Sequence, residues 1–155
     1  MIPANANDNV PRWVCGHEAG HAIVIHSFNL RVETVCVCFD KIKGHWFGRT
    51  THAADDDLPI ADQITNLVAG KAAEEFFESE APHPAWLEDF GKISSLLHRK
   101  GISDAELRLR INQGKVAART ILEKYRAEAL RLIDLLLERR RVDRPELLRL
   151  MNGET

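Results

Sequence analysis

Hydrophobic residues recur at helical spacing over most of the chain, and they alternate with other residues in two short segments of its first third. The first predicted helix runs to about Ser27. Asn9 or Asp8 is its expected N-cap, because a short polar side chain accepts hydrogen bonds from the first free backbone N–H groups. Pro11 suits the first turn, where its missing N–H costs no helical bond. We expect residues 1–10 to be flexible apart from this cap.

The two alternating segments predict a β-hairpin. VETVCVCFD at 32–40 and GHWFGRTTH at 44–52 each place every second side chain on one face. DKIKG at 40–44 is the predicted hairpin loop between them. The sequence therefore predicts a small sheet that follows the first helix.

Helical spacing returns after the hairpin. The segment 53–80 predicts a second helix with aspartates as caps and Pro59 near its start, and the apolar pattern continues through Phe77. APHP at 81–84 breaks this helix, and helical spacing resumes up to Gly101. A third helix is therefore predicted between the break and Gly101.

The last third of the chain predicts a long helical stretch and a short helix. Ser103 and Glu106 have capping-box spacing, and the amphipathic pattern that they open continues to about Arg140. Gly114 is the expected site of an interruption or kink. A short last helix begins near Asp143. The predicted fold class is mainly α with a small β-sheet or hairpin.

Composition is that of an ordinary globular protein, with 155 residues, 45% hydrophobic and 28% charged, and a formal net charge of −2. This length suits one domain, residues 1–155, with a substantial core. The near-neutral charge gives no electrostatic reason to expect nucleic acid or an anionic membrane as a partner. No apolar run approaches the roughly 20 residues of a membrane span. The N-terminus also lacks the basic start and apolar core of a signal peptide.

Cys15, Cys36 and Cys38 are an odd number of cysteines, and two of them are separated by one residue. A disulfide framework is therefore not expected, and reduced thiols in a cytoplasmic protein are the simpler interpretation. The CVC pattern is also compatible with soft-metal binding. Because alternation in a strand puts both thiols on one face, we interpret them as buried packing residues.

RWVCGHEAGHAIVIHSF at 12–28 contains two histidines four residues apart, with a glutamate after the first. Four helical residues turn through about 400°, so His17 and His21 lie on the same face and can both bind one tetrahedral zinc ion. Glu18 is rotated by about 100° from His17, which leaves its carboxylate free to contact water. Zinc lowers the pKa of such a water, and Glu18 would take its proton and pass it to the leaving amine. HExxH therefore predicts a zincin-like hydrolytic site.

Other residues of this helix have simpler interpretations. Ala19 and Gly20 are small, which allows another element to pack closely against the metal-binding helix. His26 lies about 180° from His17, so we expect it at the surface or behind the site. The alternative for the whole segment is an amphipathic core helix that binds no metal.

HEAGHA resembles the active-site helix of the FtsH-type ATP-dependent zinc proteases. VETVCVCFDKIKGHWFGRT is similar to the strand and edge segment that follow it in that family, LVAGKAAEEFF to its second-helix signature and RKGIS to its Gly-Met-Ser turn. Residues 117–150 resemble its C-terminal helical pair. The resemblance spans nearly the whole chain and implies a zincin-like metallopeptidase domain. Two features differ: no segment of residues 1–155 resembles the ATPase domain or the membrane anchors of that family, and the region of the acidic ligand is shortened to HPAWLEDFGK.

A hydrolytic zinc site usually has three protein ligands and a water. The resemblance implies an aspartate before the Gly-Met-Ser turn as the third, which is Asp89 here, with Glu88 as a rival because the spacer is shortened. Glu74 and Glu75 are further candidates, since some zincins take a glutamate from the next helix. The resemblance implies that such a glutamate instead orients a histidine by accepting its other N–H. His83, in PHP, is expected in a surface turn.

The segment GHWFGRTTH has two open interpretations. An edge strand near the metal can pair with an extended peptide, and Gly44 and Gly48 would permit close backbone approach. Alternatively, the segment is a plain hairpin in which Trp46 and Phe47 cover the core. Core or interface packing is expected for the two other tryptophans, Trp13 and Trp86.

Two functions follow from these observations. The first is a zinc-dependent endopeptidase that cuts unfolded or flexible polypeptides and needs an ATPase partner in trans for folded ones. The second is a catalytically silent, metal-stabilised module that binds a peptide or regulates an ATPase or related protease. Glu18 favours the enzyme, because a structural metal site needs no base. An oligomer is compatible with either, since the resemblance implies a hexameric ring and the long C-terminal helix suits a dimer.

Overall fold

The computed structural model describes residues 9–82 and 84–154, with the backbone alone for 84–87. It is mainly helical with a small sheet, which confirms the predicted fold class. No helix in the described part of the chain is long and apolar enough to cross a membrane. The elements are α1 Arg12–Ser27, β1 Val32–Asp40, β2 His45–His52, α2 Ile60–Phe76, α3 Pro84–Arg99, α4 Asp104–Lys124, α5 Arg126–Arg139, β3 Arg141–Asp143 and α6 Arg144–Met151.

The predicted hairpin is confirmed, and it belongs to a three-stranded antiparallel sheet of order β2-β1-β3. Asp40 closes the hairpin turn, because its Oδ1 accepts hydrogen bonds from the backbone N–H groups of Ile42 and Lys43. Gly44 completes the turn with a φ of +70°, which glycine adopts without steric cost. β3 was not predicted, since three residues between two helices are too short to show an alternating pattern.

The inner face of the sheet packs against α1 and α5. Val35, Val37 and Trp46 are buried in the same apolar cluster as residues of both helices. Cys36 and Cys38 lie on the opposite face, where Cys36 is partly exposed and Cys38 is exposed. The prediction that both pack in the core was therefore wrong, because the core covers the valine face of β1. All three cysteines are free thiols.

Close packing of α1 on α2 brings the first two helices together. Gly20 lies against α2, where a Cβ at this position would be 2.5 Å from Ala73 Cβ and 2.7 Å from the Ala69 carbonyl oxygen. The small residue predicted to allow close approach therefore lies at a helix contact. A second apolar cluster joins α1 and α2 to α4 and α5, and a third joins α2, α3 and α4.

Helix ends differ from the predictions in three places. Pro11 itself occupies the N-cap of α1 and no side chain caps this helix, so Asn9 does not do so; Asp8 lies outside the described residues. The aspartates do not cap α2, whose N-cap is Pro59. The long predicted helix breaks at Tyr125, where φ is −107° and ψ is 27°, and not at Gly114.

Gly114 is instead a contact residue in a continuous α4. A Cβ at this position would lie 3.1 Å from methyl groups of Ile64 and Val68 in α2. Ser103 occupies the predicted N-cap of α4, but its side chain makes no capping hydrogen bond. The predicted start of the last helix is confirmed, with Asp143 as the N-cap of α6.

Candidate metal centre

Two histidines of α1 face α2, and hydrogen bonds to that helix fix their rings. His17 Nδ1 lies 3.0 Å from Glu74 Oε1, and His21 Nδ1 lies 2.9 Å from the backbone oxygen of Asn66. Both partners are acceptors, so each Nδ1 carries the proton that forms the bond. In the neutral imidazoles the two Nε2 atoms are then unprotonated and available to bind a metal.

The two Nε2 atoms converge on a carboxylate from α3. His17 Nε2 lies 3.1 Å from His21 Nε2, and Asp89 Oδ2 lies 3.1 Å and 3.4 Å from these two nitrogens. These separations match the edges of a tetrahedral zinc site, about 3.3 Å for ligands near 2.0 Å from the ion. Asp89 Oδ2 is buried and makes no conventional hydrogen bond. The three donor atoms therefore fit a metal ion placed between them.

The electrostatics of the cluster also favour a cation. Burial lowers the pKa of His17, but the contacts with Asp89 and Glu74 outweigh it and raise this pKa to about 10. Burial likewise raises the pKa of Asp89, yet its contacts with His17 and His21 hold it well below its usual range. The two carboxylates that favour the protonated form of His17 would also stabilise a metal cation at this point.

Packing of α2 also shapes the site. Gly70 lies directly beneath the imidazole of His17, where a Cβ would be 2.4 Å from its Cε1 and Nε2 atoms. Glu74 is 1% exposed, and Lys71 Nζ lies 3.5 Å from its Oε2. A buried carboxylate with a nearby ammonium group is a strong acceptor for the Nδ1 proton of His17. Glu74 therefore supports His17 from behind, as the resemblance implied.

The other carboxylates, thiol and histidines considered in the sequence do not belong to the described cluster. Glu75 is exposed and pairs with Lys115 at 3.0 Å. Glu88 is exposed, with its carboxylate 3.4 Å from Lys92. Cys15 is fully buried, and burial raises the pKa of its thiol to about 12, so it stays protonated. His26 is partly buried outside the cluster, and His83 lies outside the described residues.

Glu18 approaches the cluster from the side of the sheet. It is 6% exposed, and its side chain lies against Gly48 of β2. Its carboxylate also accepts a hydrogen bond from Thr50 in the same strand. The three cluster donors come from His17, His21 and Asp89, so Glu18 remains beside the site as a group that can accept a proton.

An open cleft of about 450 Å³ contains these side chains. β2 forms one wall, and Asp89 and Lys92 of α3 lie on another. Trp46 and Phe47 both line the cleft, but Phe47 is 40% exposed, whereas Trp46 is 8% exposed and also packs in the core. Trp13 packs partly buried against the core, as expected, and the side chain of Trp86 lies outside the described residues.

The sequence interpretation missed three contributions to this site. Thr50 shares a strand face with Gly48 because they are two residues apart, and this alternation was the available signal. Lys71 lies three residues before Glu74, which is also readable as helical spacing. The Asn66 carbonyl has no sequence signal, since any residue supplies a backbone oxygen.

Comparison with known proteins gives no family for this chain. No protein-family model matches it, and a search of curated proteins found no match.

Proposed function

We propose that this protein is a zinc-dependent endopeptidase that hydrolyses peptide bonds in unfolded or flexible polypeptides. The observation that carries the proposal is the convergence of His17, His21 and Asp89 on one point of an open cleft, with Glu18 beside them. A zincin-like domain similar to the FtsH-type peptidases is part of the proposal. The bond from His17 to Glu74 and the position of Asp89 support it.

The number of donors favours catalysis over a structural role. Structural zinc sites usually have four protein ligands, whereas catalytic sites have three and keep one position open. Three donors converge among the described residues, and they face the cleft. Two imidazoles and a carboxylate suit zinc, although iron, cobalt and nickel accept the same set.

Each side chain has a defined part in the proposed reaction. Bound zinc would polarise the scissile carbonyl and lower the pKa of water. Glu18 takes the proton from water and passes it to the leaving nitrogen. His17, His21 and Asp89 hold the metal, while Glu74 and the Asn66 carbonyl fix the two rings. Their protons on Nδ1 keep each Nε2 available.

The position of β2 suggests how a polypeptide binds. β2 is an edge strand, with β1 on one side and no strand of the described sheet on the other. It also forms a wall of the cleft beside Glu18. An extended peptide can add to such an edge through main-chain hydrogen bonds, which do not depend on the side chains of the peptide. This mode requires an unfolded or flexible substrate, so folded proteins would need an ATPase partner in trans.

Paired variants of α3 test the proposal. Wild type, Asp89→Asn and Glu88→Gln are loaded with zinc, and bound metal is measured by elemental analysis. Cleavage of a reduced, carboxymethylated protein is followed by mass spectrometry of the new termini. We expect Asp89→Asn to lose zinc and cleavage together, and Glu88→Gln to retain stoichiometric zinc. A chelator should stop wild-type cleavage and added zinc should restore it.

The same experiment separates the alternatives. Cleavage that persists in the chelator would contradict metal-dependent hydrolysis. Wild type that binds one zinc and cuts nothing would instead favour the metal-stabilised binding module. Zinc retained by Asp89→Asn and lost by Glu88→Gln would assign the third ligand to Glu88.

A further inference from the structure

Thr50 makes a short contact with Glu18. Thr50 lies opposite Val35 in the β1–β2 pair, and its Oγ1 is 2.6 Å from Glu18 Oε2. The backbone oxygen of Glu18 lies farther from the same hydroxyl, at 3.3 Å. A hydroxyl has one proton to donate, and 2.6 Å is typical of an O–H bond to a charged carboxylate. The hydroxyl therefore donates to Oε2.

Gly48 packs closely against the side chain of Glu18. It lies two residues before Thr50, on the same face of β2. A Cβ at this position would be 2.2 Å from Glu18 Cγ and 2.7 Å from Glu18 Oε1. Because Gly48 has no side chain, the Glu18 side chain can pack directly against β2. The Thr50 hydroxyl then holds the Glu18 carboxylate.

The two carboxylate oxygens consequently have different surroundings. Oε2 accepts the hydrogen bond from Thr50, whereas Oε1 has no hydrogen-bond partner among the side chains described, those of residues 9–82 and 88–154. Glu18 lines the cleft beside the three converging donors. Oε1 is therefore the oxygen that remains for a proton from water.

We propose that Thr50 is a positioning residue for Glu18, holding Oε2 so that Oε1 takes the proton during hydrolysis. The inference rests on the proposed function. A glutamate side chain rotates about several bonds, and small misplacements of a reacting group have large effects on rate. The hydroxyl restricts this rotation without contacting the metal donors.

Three substitutions isolate the hydroxyl. Thr50→Val removes it while keeping the shape and the preference for a strand. Thr50→Ser retains it. Thr34→Val is the matched control, since it makes the same change at a partly buried residue of neighbouring β1 whose side chain lies on the opposite face from Val35 and Thr50. Unfolding and zinc affinity are measured for each variant, and Thr50→Ala replaces Thr50→Val if the latter does not fold.

Steady-state cleavage of a fluorogenic peptide supplies the main readout. We expect Thr50→Val to lower kcat by about 10- to 100-fold, as for loss of a hydrogen bond to a charged group. KM and zinc affinity should stay within about twofold of wild type, because neither metal nor peptide contacts the hydroxyl in this arrangement. Thr50→Ser should recover most of kcat, and Thr34→Val should match wild type.

Each other outcome overturns the assignment of Thr50. A kcat for Thr50→Val equal to wild type leaves the proposed function intact and removes Thr50 from it. Loss of rate in proportion to loss of zinc shows a structural role in place of positioning. A wild-type protein that cleaves no peptide with zinc bound overturns the proposed function, and the assignment of Thr50 fails with it.

Discussion

At the scale of single residues, the sequence predicted the part of the site that lies on one helix. His17, Glu18 and His21 have fixed angular relations in α1, so their arrangement follows from spacing alone. Asp89 comes from a different helix, and the resemblance to FtsH-type peptidases was needed to select it. Thr50 was missed because its role depends on how β2 packs against α1. Metal binding by this cluster stays a prediction.

Gly70 provides a residue-scale test of the metal centre. In Gly70→Ala the new Cβ would lie 2.4 Å from His17 Nε2, so the ring has to move away from His21 and Asp89. We expect zinc affinity to fall by about 10- to 100-fold, as for other changes in groups that support a ligand. Gly91→Ala in α3 is the control, because its Cβ would meet no atom of the described residues within 4 Å.

Competition with a chromophoric chelator measures both affinities. Gly91→Ala should bind zinc as wild type does, and the helix should gain up to about 1 kcal/mol from replacing glycine. Equal zinc affinities for Gly70→Ala and wild type would show that the His17 ring position does not matter for binding.

At the scale of elements, alternation predicted the hairpin and helical spacing predicted most of the helices. The ends of these elements and the contacts between them depend on tertiary structure. No glycine or proline marks the break at Tyr125 in the sequence, so helical spacing does not predict it. Gly114 lies within α4 because it packs against Ile64 and Val68 of α2. Alternation placed Cys36 and Cys38 on one face of β1. Alternation alone does not determine which face the core covers.

The α1–α2 contact gives a test at the element scale. In Gly20→Ala the new Cβ would lie 2.7 Å from the Ala69 carbonyl oxygen. This backbone atom cannot move aside as the end of a flexible side chain can. We expect the free energy of unfolding to fall by about 1–3 kcal/mol, as for other overpacked cores. Gly114→Ala meets methyl groups at 3.1 Å, and it should stay within about 1 kcal/mol of wild type. Urea denaturation measures both, and equal losses would argue against rigid packing at Gly20.

At the scale of the molecule, the candidate metal centre lies where α1 and α3 meet. His17 and His21 belong to α1, whereas Asp89 belongs to α3. The buried residues of α3 pack in the cluster shared with α2 and α4, apart from the clusters that contain α1. A bound ion would therefore strengthen the contact that Asp89 makes with His17 and His21, which joins α3 to α1. The single domain over residues 1–155 and the oligomer both stay predictions from the sequence.

Hydrogen exchange on removal of zinc tests this connection. Chelation should increase amide exchange in residues 88–99 of α3 much more than in α1 and α2, which pack closely without the ion. Mass spectrometry compares amide exchange in the zinc-loaded and the chelated protein. In Asp89→Asn, chelation should not change the exchange of α3. A uniform increase over all helices would mean that zinc stabilises the whole fold and does not anchor α3 in particular.

The role of Glu18 as proton acceptor in metal-dependent peptide hydrolysis is tested most directly by one comparison. Initial rates of cleavage of an unfolded protein are measured for wild type and Glu18→Gln, each with one zinc bound. We predict cleavage by wild type and a rate at least about 100-fold lower for Glu18→Gln, since glutamine has a similar shape but cannot take the proton. Equal rates would contradict the role of Glu18. No cleavage by either protein, with zinc bound to both, would contradict the assignment as a peptidase.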